Sequence, residues 1–571
     1  MGFDGIGGEI VSGVDPARAL EAVAAARAAG ERPTWTRLFS DDEVRAQAGC
    51  AGDGALAGLP FAVKDNIDIV GIPTTGGWPG RSTPAATTAT AVSRLMTAGA
   101  VPIGKTNLDQ FATGLVGTRS PYGAVPAVGW PERISGGSSS GSAAAVAGGL
   151  VPLALGTDTA GSGRVPAGFN ALVGMKPTRG LVSSTGVLPA CRSLDCVTTL
   201  TRTVGEARAA LDVLAAADPA NPWSRARPPV LPSRIARQMR VVGVPSATLD
   251  LDPGYADAWA RTAARASESL HVVPVDIEPF LAAARLLYDG PWVAERYAAV
   301  GGWLETDDAA LDPTVRSIVL RGRELTAVDA FAGFERLRAL TAAVEPLWDT
   351  IDALLLPTTP CHPTLAEVAT DPVGVNARLG TYTNFVNLMD LCAIAVPGED
   401  CEDGRPFGVQ LIAPAFADGP LLDLAALWLG EPVPAPAALP APGAGQVVVC
   451  GAHLSGMAMN RQLLDLGAQL VRRTRTGPGY RMYALPDRRR PGLVATGDGP
   501  PRGIDVEVWE LSDAALGALL RSIAPPLGLG TVVLADGSGV TGFLAESHRL
   551  GDAADITAHG GWRQYLAAAN R

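Results

Sequence analysis

The sequence is poor in charge, and in positive charge above all. Its 571 residues include 46 lysines and arginines against 57 aspartates and glutamates, which gives a formal net charge of −11, and charged residues make up only 18% of the chain. Nucleic-acid-binding proteins usually carry a basic patch that displaces counterions from phosphates, so we expect no nucleic-acid partner. Hydrophobic residues reach 47%, which favours a large packed core over disorder.

The sequence also lacks a membrane-spanning run, a secretory signal and a disulfide framework. Its longest weakly polar run, Ala143–Leu155, is shorter than the roughly 20 residues of a transmembrane helix. The first residues have neither the basic nor the apolar region of a signal peptide. Seven cysteines are scattered without a CxxC pair, a pattern typical of buried free thiols and not of a zinc site. We therefore expect no membrane association, no metal and a reducing, cytoplasmic compartment.

A stretch rich in proline and alanine divides the chain. Residues 431–446 read EPVPAPAALPAPGAGQ, which is typical of an extended spacer without a core of its own. We therefore predict a large domain at residues 1–430, a linker at 431–446 and a small domain at 447–571.

The two predicted domains differ in their secondary-structure patterns. The larger one alternates helical and extended segments, including a helix predicted at 107–112, and this favours an α/β sandwich with a mixed central sheet. The smaller one has a β-branched strand after residue 446 and a hairpin signal around Asp536-Gly537, which favours a small α+β domain.

One nucleotide-binding pattern is misleading. Residues 99–106, GAVPIGKT, match the P-loop consensus. A P-loop follows a strand, so that its amides face phosphate at a helix N-terminus. Here the predicted strand lies inside the motif and Pro102 removes one of the amides. We therefore expect no ATP site.

Two loops rich in glycine and serine flank one apolar segment. Residues 136–142 precede it and residues 157–163 follow it. A flexible linker is the plain alternative, but a linker embedded between core elements is unusual. Backbone amides in such loops can point at an anion, so the pattern predicts a pocket lined by hydroxyls and amides.

These loops belong to a longer set of motifs in a fixed order. The chain resembles the amidase signature family of serine hydrolases, and the resemblance covers roughly residues 1–430. The motifs that carry it are FAVKDNI at 61–67, GKTN at 104–107, GGSSSGS at 136–142, GTDTAGS at 156–162, KPTRG at 176–180, and Asp195.

The resemblance implies a Ser–Ser–Lys triad. By motif position Ser162 is the nucleophile, Ser138 is a bridging serine in a cis peptide, and Lys64 is the base. A serine hydroxyl is a weak nucleophile until a neighbouring base takes its proton. A lysine can be that base only when its amine is neutral, which burial favours.

The family also implies an oxyanion hole. It would consist of the backbone amides of Thr159, Ala160 and Gly161, beside the nucleophile. Family members often have two glycines before the nucleophilic serine, whereas this chain has Ala160-Gly161. Alanine still donates its amide but has less conformational freedom.

Further segments resemble the branch of the family that acts on allophanate, a small flat carboxylate derived from urea. In that branch a tyrosine and an arginine eight residues later hold the carboxylate, and Tyr288 and Arg296 fit this spacing. Arginine suits the task because its planar fork pairs with both carboxylate oxygens. The alternative is an exposed helix with a Glu295–Arg296 charge pair.

The C-terminal segment resembles the additional domain of the same branch, which is itself similar to γ-glutamyl cyclotransferase. The segments that carry the resemblance are 451–457 and 542–546. The resemblance implies that this domain assists decarboxylation of the first product, N-carboxycarbamate. His453 is the candidate base there because imidazole titrates near working pH. A purely structural histidine is the alternative.

The function expected from the resemblance is hydrolysis of allophanate to ammonia and carbon dioxide. No cofactor is implied. The chain has no biotin-carrier motif, so we expect a separate urea carboxylase to supply allophanate, and by analogy with the family we expect a homodimer. Two alternatives stay open: a broader amidase acting on other carboxylated amides, and a non-catalytic binding scaffold.

Overall fold

The computed structural model describes residues 13–30, 32–228, 239–433, 445–486 and 490–569. Within these residues the chain forms two compact units, one that ends at Val433 and one that follows it. Most of the predicted linker, residues 434–444, lies outside the described residues. The predicted limits at 430 and 447 stay predictions.

A mixed sheet of eleven strands forms the centre of the larger unit. Its order is β1-β3-β2-β6-β8-β7-β12-β13-β11-β9-β10, with parallel pairs on both flanks and antiparallel pairs in the middle. This confirms the predicted α/β class and mixed sheet. In chain order, with the separate ribbon β4–β5 included, the strands are β1 Trp35–Leu38, β2 Pro60–Lys64, β3 Val101–Thr106, β4 Pro126–Ala127, β5 Trp130–Ile134, β6 Leu153–Asp158, β7 Val173–Lys176, β8 Cys196–Thr201, β9 Val241–Pro245, β10 His271–Val275, β11 Ala353–Pro357, β12 Leu391–Pro397 and β13 Gly408–Pro414.

Fifteen helices accompany this sheet in the described residues. Several begin with a capping box, in which a Ser or Thr side chain and an acidic side chain three residues later each bind the other's backbone amide. The helices are α1 Ala17–Ala28, α2 Asp41–Gly49, α3 Thr90–Thr97, α4 Ser140–Ala147, α5 Arg164–Phe169, α6 Val204–Leu214, α7 Pro253–Ser269, α8 Glu278–Asp289, α9 Trp292–Leu304, α10 Pro313–Leu320, α11 Ala327–Val344, α12 Leu365–Thr370, α13 Gly374–Leu379, α14 Asn384–Leu388 and α15 Asp418–Leu429.

The helix predicted at 107–112 is wrong. Only Gln110–Ala112 forms a short 3-10 turn, and inside it Phe111 and Ala112 both have φ near +52°. Left-handed backbone is rare for residues other than glycine and costs of the order of 1–3 kcal/mol each. Tertiary contacts therefore override the local helical pattern here. As expected, residues 99–106 do not form a P-loop, because strand β3 occupies residues 101–106 of that motif.

The smaller unit is rich in strands, as its pattern predicts. A five-stranded sheet has the order β15-β18-β14-β20-β19, and β16, β17 and β21 form a second sheet. The hairpin expected around Asp536-Gly537 is present as antiparallel β19 and β20. The elements are β14 Gln446–Val449, α16 Asn460–Asp465, β15 Gln469–Arg475, β16 Tyr480–Ala484, β17 Pro491–Ala495, β18 Asp505–Glu510, α17 Asp513–Ser522, β19 Leu527–Val533, β20 Gly539–Ala545, β21 Ala554–Asp555 and α18 Trp562–Ala569. Across both units, none of the described helices combines the length and the apolar character that a bilayer crossing needs.

Lysine is confined to the core of the larger unit. The chain has three lysines, Lys64, Lys105 and Lys176, and all three are fully buried. Lys105 on β3 forms an ion pair of 2.8 Å with Asp65, which is equally buried. Breaking a buried pair leaves one uncompensated charge in a low-dielectric interior.

We predict that Lys105→Met lowers the free energy of unfolding of the larger unit by about 3–5 kcal/mol, because Asp65 then loses its counter-charge. The measurement is urea unfolding followed by circular dichroism. The double variant Lys105→Met/Asp65→Asn removes both charges and should recover more than half of the loss. Equal destabilisation of the single and double variants would contradict this account of the pair.

Candidate active site

The predicted site lies where two parallel strands end. β2 ends at Lys64 and β6 ends at Asp158, and the two strands are hydrogen-bonded neighbours, with Val63 opposite Leu155. Carboxyl ends of adjacent parallel strands meet at one edge of a sheet, where α/β folds place their ligands. The sheet therefore brings the residue at the end of β2 close to the loop that follows β6.

The Lys64 amine lies in a closed pocket of hydroxyl groups. Its Nζ lies 2.7 Å from Ser138 Oγ and 2.8 Å from Thr157 Oγ1, and Asn66 donates to the same Thr157 oxygen at 3.2 Å. A neutral amine has one lone pair and can accept the Ser138 proton while donating to Thr157. Thr157 had no role in the sequence prediction, although it lies within the GTDTAGS motif.

Burial lowers the pKa of Lys64 from 10.5 to about 7. The carboxylates of Asp109, Asp158 and Asp195 act in the opposite direction, because negative charge stabilises the ammonium form. Among the ion pairs of the described residues, Lys64 has none. A substantial share of the Lys64 amine is therefore neutral at neutral pH.

Ser138 follows a cis peptide bond after Gly137, and its carbonyl accepts from the Asp109 amide at 3.2 Å. The Ser162 carbonyl accepts from the Ser139 amide at 3.2 Å, so the two serine-bearing loops touch.

The Ser162 hydroxyl, however, points to another acceptor in this structure. It lies 3.5 Å from the carbonyl of Gly114, and no hydrogen bond joins it to Ser138 among the described residues. The Lys64–Ser138 contact of the predicted relay is therefore formed here, whereas the Ser138–Ser162 contact is not.

Asp158 organises the loop that carries Ser162. Its carboxylate is fully buried, forms an ion pair of 2.9 Å with Arg164, and accepts from the amides of Gly161 at 2.9 Å and Gly163 at 3.1 Å. Gly161 has φ +135°, and a Cβ there would lie 2.4 Å from Thr383 Oγ1. Glycine is therefore required at this position, and its amide is already partly engaged.

The other two predicted oxyanion donors, the amides of Thr159 and Ala160, differ from the Gly161 amide. The amides of Thr159 and Ala160 have no hydrogen bond to a described residue, so they remain available to an oxyanion. The Thr159 side chain donates to Asp195, a carboxylate that also accepts from the Ala190 amide at 2.9 Å. Asp195 belongs to the sequence motif but had no predicted role; its hydrogen bond to Thr159 holds the segment 159–161 that carries the predicted oxyanion donors.

Tyr288 and Arg296 are brought together beside the nucleophile loop. The Arg296 guanidinium is buried and lies 5.7 Å from the centre of the Tyr288 ring. Ala160 belongs to the same apolar cluster as Leu287, with Tyr288 packed against it. The structure therefore unites the predicted carboxylate-binding pair with the predicted oxyanion loop.

The alternative Glu295–Arg296 pair is wrong. Glu295 accepts from the amide and hydroxyl of Ser193 at 2.7 and 2.6 Å. Arg296 donates to Thr113 Oγ1 at 3.1 Å, while its Nε is buried without a partner among the described residues. No carboxylate of the described chain lies within ion-pair distance of Arg296, and a buried unpaired cation is costly unless a ligand compensates it.

His453 lies in the smaller unit, beside a cavity of about 140 Å³. Its Nε2 is 2.8 Å from Gln462 Oε1, and its ring stacks on Phe543 with centroids 5.2 Å apart. Burial lowers the pKa of His453 below 6.5, while the hydrogen bond to Gln462 raises it. The imidazole is therefore mainly neutral at pH 7. The same cavity is lined by Ser522 and Arg490.

No cluster of three or more His, Cys, Asp or Glu side chains that could hold a metal ion occurs in the part of the chain described by the structure. All seven cysteines are free thiols, and six of them are buried.

Comparisons with known proteins agree with this geometry. Residues 22–422 match the amidase family model, and residues 445–567 match the model of the allophanate hydrolase C-terminal domain. The allophanate hydrolase of Kluyveromyces lactis has a structure similar to this chain, with a TM-score of 0.74, 37% identity and coverage of 97% of both chains.

Two relatives show how much of other proteins the chain matches. The urea amidolyase of Lachancea kluyveri is 39% identical over 95% of this chain, but the chain spans only about a third of it, 32%. A component of the glutamyl-tRNA(Gln) amidotransferase of Symbiobacterium thermophilum is 36% identical over 67% of this chain and 84% of its own length. With an amidase model covering most of its length and a second model covering the rest, the chain belongs to the amidase family and has the two-domain architecture of allophanate hydrolases.

Proposed function

We propose that this chain hydrolyses allophanate, releasing ammonia from its amide end. The observation that carries the proposal is the buried Arg296 guanidinium, which has no carboxylate partner in the described chain. It contacts the Tyr288 ring, and Tyr288 packs against the apolar cluster that includes Ala160. A site of this kind suits a substrate that combines a carboxylate with a nearby amide. The similarity to the K. lactis enzyme supports the same substrate.

The first step is the attack on the terminal amide, which forms a tetrahedral intermediate. The Ser162 hydroxyl turns from Gly114 towards Ser138 and attacks the carbonyl of the terminal amide, while its proton passes through Ser138 to the neutral Lys64 amine. The amides of Thr159 and Ala160, with Gly161, stabilise the oxyanion; one such donor is typically worth about 3 kcal/mol of the barrier.

The second half of the reaction reverses the proton path. The Lys64 ammonium returns its proton through Ser138 to the leaving nitrogen, and ammonia departs as the C–N bond breaks. Water then attacks the acyl-enzyme, gives its proton to the same relay and releases N-carboxycarbamate. Ser162 and Lys64 return to their starting states.

Arg296 and Tyr288 hold the substrate carboxylate. The guanidinium offers two parallel N–H groups to the two carboxylate oxygens, and charge-assisted hydrogen bonds of this type are about twice as strong as neutral ones. The Tyr288 ring limits where the guanidinium can lie. A neutral amide would leave Arg296 buried and unpaired, so the site favours amides that carry a carboxylate.

The smaller unit would then assist decarboxylation. The neutral His453 imidazole takes the proton of the acid form of N-carboxycarbamate and returns it to nitrogen as carbon dioxide leaves, so that carbamate remains. Its place at a cavity beside Gln462 and Phe543 supports this role.

We further propose a cytoplasmic homodimer that receives allophanate from a separate urea carboxylase. The seven free thiols favour a reducing compartment. The similarity to part of the urea amidolyases supports a link to a carboxylase. Exposed Val328 and Phe331 on α11 offer apolar surface for association. Sedimentation equilibrium tests the dimer; a monomer at micromolar concentration would refute it.

We predict that the rate of Ser162 labelling by a phosphonyl fluoride rises with pH through a midpoint at about 7, because only the neutral Lys64 amine is a base. At pH 6 the rate should be roughly a tenth of its plateau. Lys64→Arg, which stays protonated, should abolish labelling at every pH. Labelling independent of pH between 6 and 9 would rule out Lys64 as the base.

We predict that the wild-type chain releases ammonia from allophanate far faster than from acetamide, and that Ser162→Ala abolishes release. Arg296→Gln should raise KM for allophanate roughly 100-fold, as expected for a lost charged bidentate contact, and leave acetamide turnover unchanged. Arg285→Gln on the exposed face of α8 is the matched control. A preference of the wild type for acetamide would overturn the proposed substrate.

We predict that His453→Asn leaves initial ammonia release unchanged and slows carbon dioxide release at least several-fold, because the first reaction belongs to the other unit. Stopped-flow detection of both products checks this. His559→Asn, at an exposed position in the same unit, is the control. If carbon dioxide keeps pace with ammonia in His453→Asn, the histidine has no part in decarboxylation.

A further inference from the structure

A strained segment connects the carboxylate-binding arginine to the nucleophile. It comprises residues 110–114, which we call the bridge segment. Its second and third residues, Phe111 and Ala112, both have φ near +52°. Two adjacent left-handed residues that are not glycine persist only where the surroundings over-determine them, and such strain clusters at functional sites.

Several hydrogen bonds at the Gln110–Phe111 end hold the left-handed backbone of the bridge segment in place. The Gln110 side chain donates to the carbonyls of Gly77 and Ala310, both at 2.9 Å, and accepts from the Asp312 amide at 2.8 Å. The Phe111 amide donates to the Gly76 carbonyl at 2.7 Å. The start of the bridge segment is therefore fixed to two separate parts of the larger unit, one at residues 76–77 and one at residues 310–312.

Helix α9 contacts the bridge segment at two points. Trp303, near the end of the helix, stacks on Phe111 with ring centroids 5.9 Å apart and an interplanar angle of 25°. Arg296, two turns earlier, donates to Thr113 Oγ1 at 3.1 Å. The helix that supplies the carboxylate anchor is thus attached to both the aromatic and the hydroxyl residue of the segment.

The other end of the bridge segment reaches the nucleophile. The residue after Thr113 is Gly114, and its carbonyl lies 3.5 Å from Ser162 Oγ. The Thr113 hydroxyl also donates to the Phe111 carbonyl at 3.2 Å, which ties its side chain to the strained part of the backbone. One short rigid piece of chain therefore contacts both Arg296 and Ser162.

We propose that the bridge segment fixes the distance between the Arg296 guanidinium and Ser162, whose hydroxyl rests against Gly114 before it turns towards Ser138, with Thr113 as the positioning residue. The inference rests on the proposed function of Arg296 and Ser162. A fixed distance selects substrates by the number of atoms between carboxylate and amide carbonyl. Allophanate and malonamate have one atom there, whereas succinamate has two, so the enzyme discriminates against succinamate by length.

The test compares kcat/KM for malonamate and succinamate in the full chain. The wild type should favour malonamate by at least about 10-fold, within the range that one methylene usually supplies. Thr113→Val removes the hydroxyl but keeps the shape, and the φ of −105° at Thr113 suits a β-branched side chain. It should lower the malonamate-to-succinamate ratio at least 5-fold, while Thr113→Ser restores it.

Two further measurements distinguish a positioning role of Thr113 from a general loss of structure in the Thr113→Val variant. Labelling of Ser162 by a phosphonyl fluoride should stay within about twofold of the wild type in Thr113→Val, because the Lys64 relay is untouched. Thr341→Val on α11, where the hydroxyl bonds only a helix carbonyl in the same turn, is the matched control and should behave as wild type. Thr113→Ala serves as a second variant if Thr113→Val does not fold.

The outcomes are distinct. A parallel fall of labelling and of both substrates would show a purely structural Thr113 and overturn the inference, as would an unchanged ratio in Thr113→Val. A wild type without activity on allophanate or malonamate would instead refute the proposed function itself.

Discussion

The proposed chemistry depends on one amine that forms no ion pair among the described residues. Lys64 is enclosed among hydroxyl groups, and the acidic side chains around it are occupied elsewhere: Asp158 by Arg164 and backbone amides, Asp109 by the amides of its own loop, and Asp195 by Thr159 and Ala190. Each of these carboxylates would otherwise hold the lysine as an ammonium ion. Burial nevertheless lowers the pKa of Lys64 against these three carboxylates, none of which forms an ion pair with the amine.

This arrangement has a thermodynamic cost. Lowering the pKa of Lys64 from 10.5 to about 7 corresponds to about 5 kcal/mol of lost stability below pH 7. The unfolded state binds the extra proton between these two pH values, so stability contributed by this group returns as the pH rises from about 7 to 10.5. The extensive apolar packing around the eleven-stranded sheet offsets the loss, which is how an active site keeps an unfavourable group in place.

Sequence reasoning located most of the fold and part of the site. Alternating helical and extended patterns were sufficient to predict the mixed sheet. Ordered motifs predicted Lys64, Ser138 and Ser162 as the triad without any geometry. Other features depend on residues far apart in sequence. The left-handed turn at Phe111 is held by Gly76 and by Trp303, roughly 190 positions later. The local pattern therefore predicted a helix at 107–112 that the structure does not contain. The Glu295 side chain likewise accepts a hydrogen bond from the Ser193 amide, 102 positions earlier, and does not pair with its sequence neighbour Arg296.

Confinement of all three lysines to the interior also shapes the outer surface of the molecule. The lysines therefore contribute no positive charge to the surface, so no lysine amine is offered to acylating reagents, reductive methylation or amine-directed cross-linkers while the fold is intact. Modification of a lysine by such a reagent would therefore report local opening of the core.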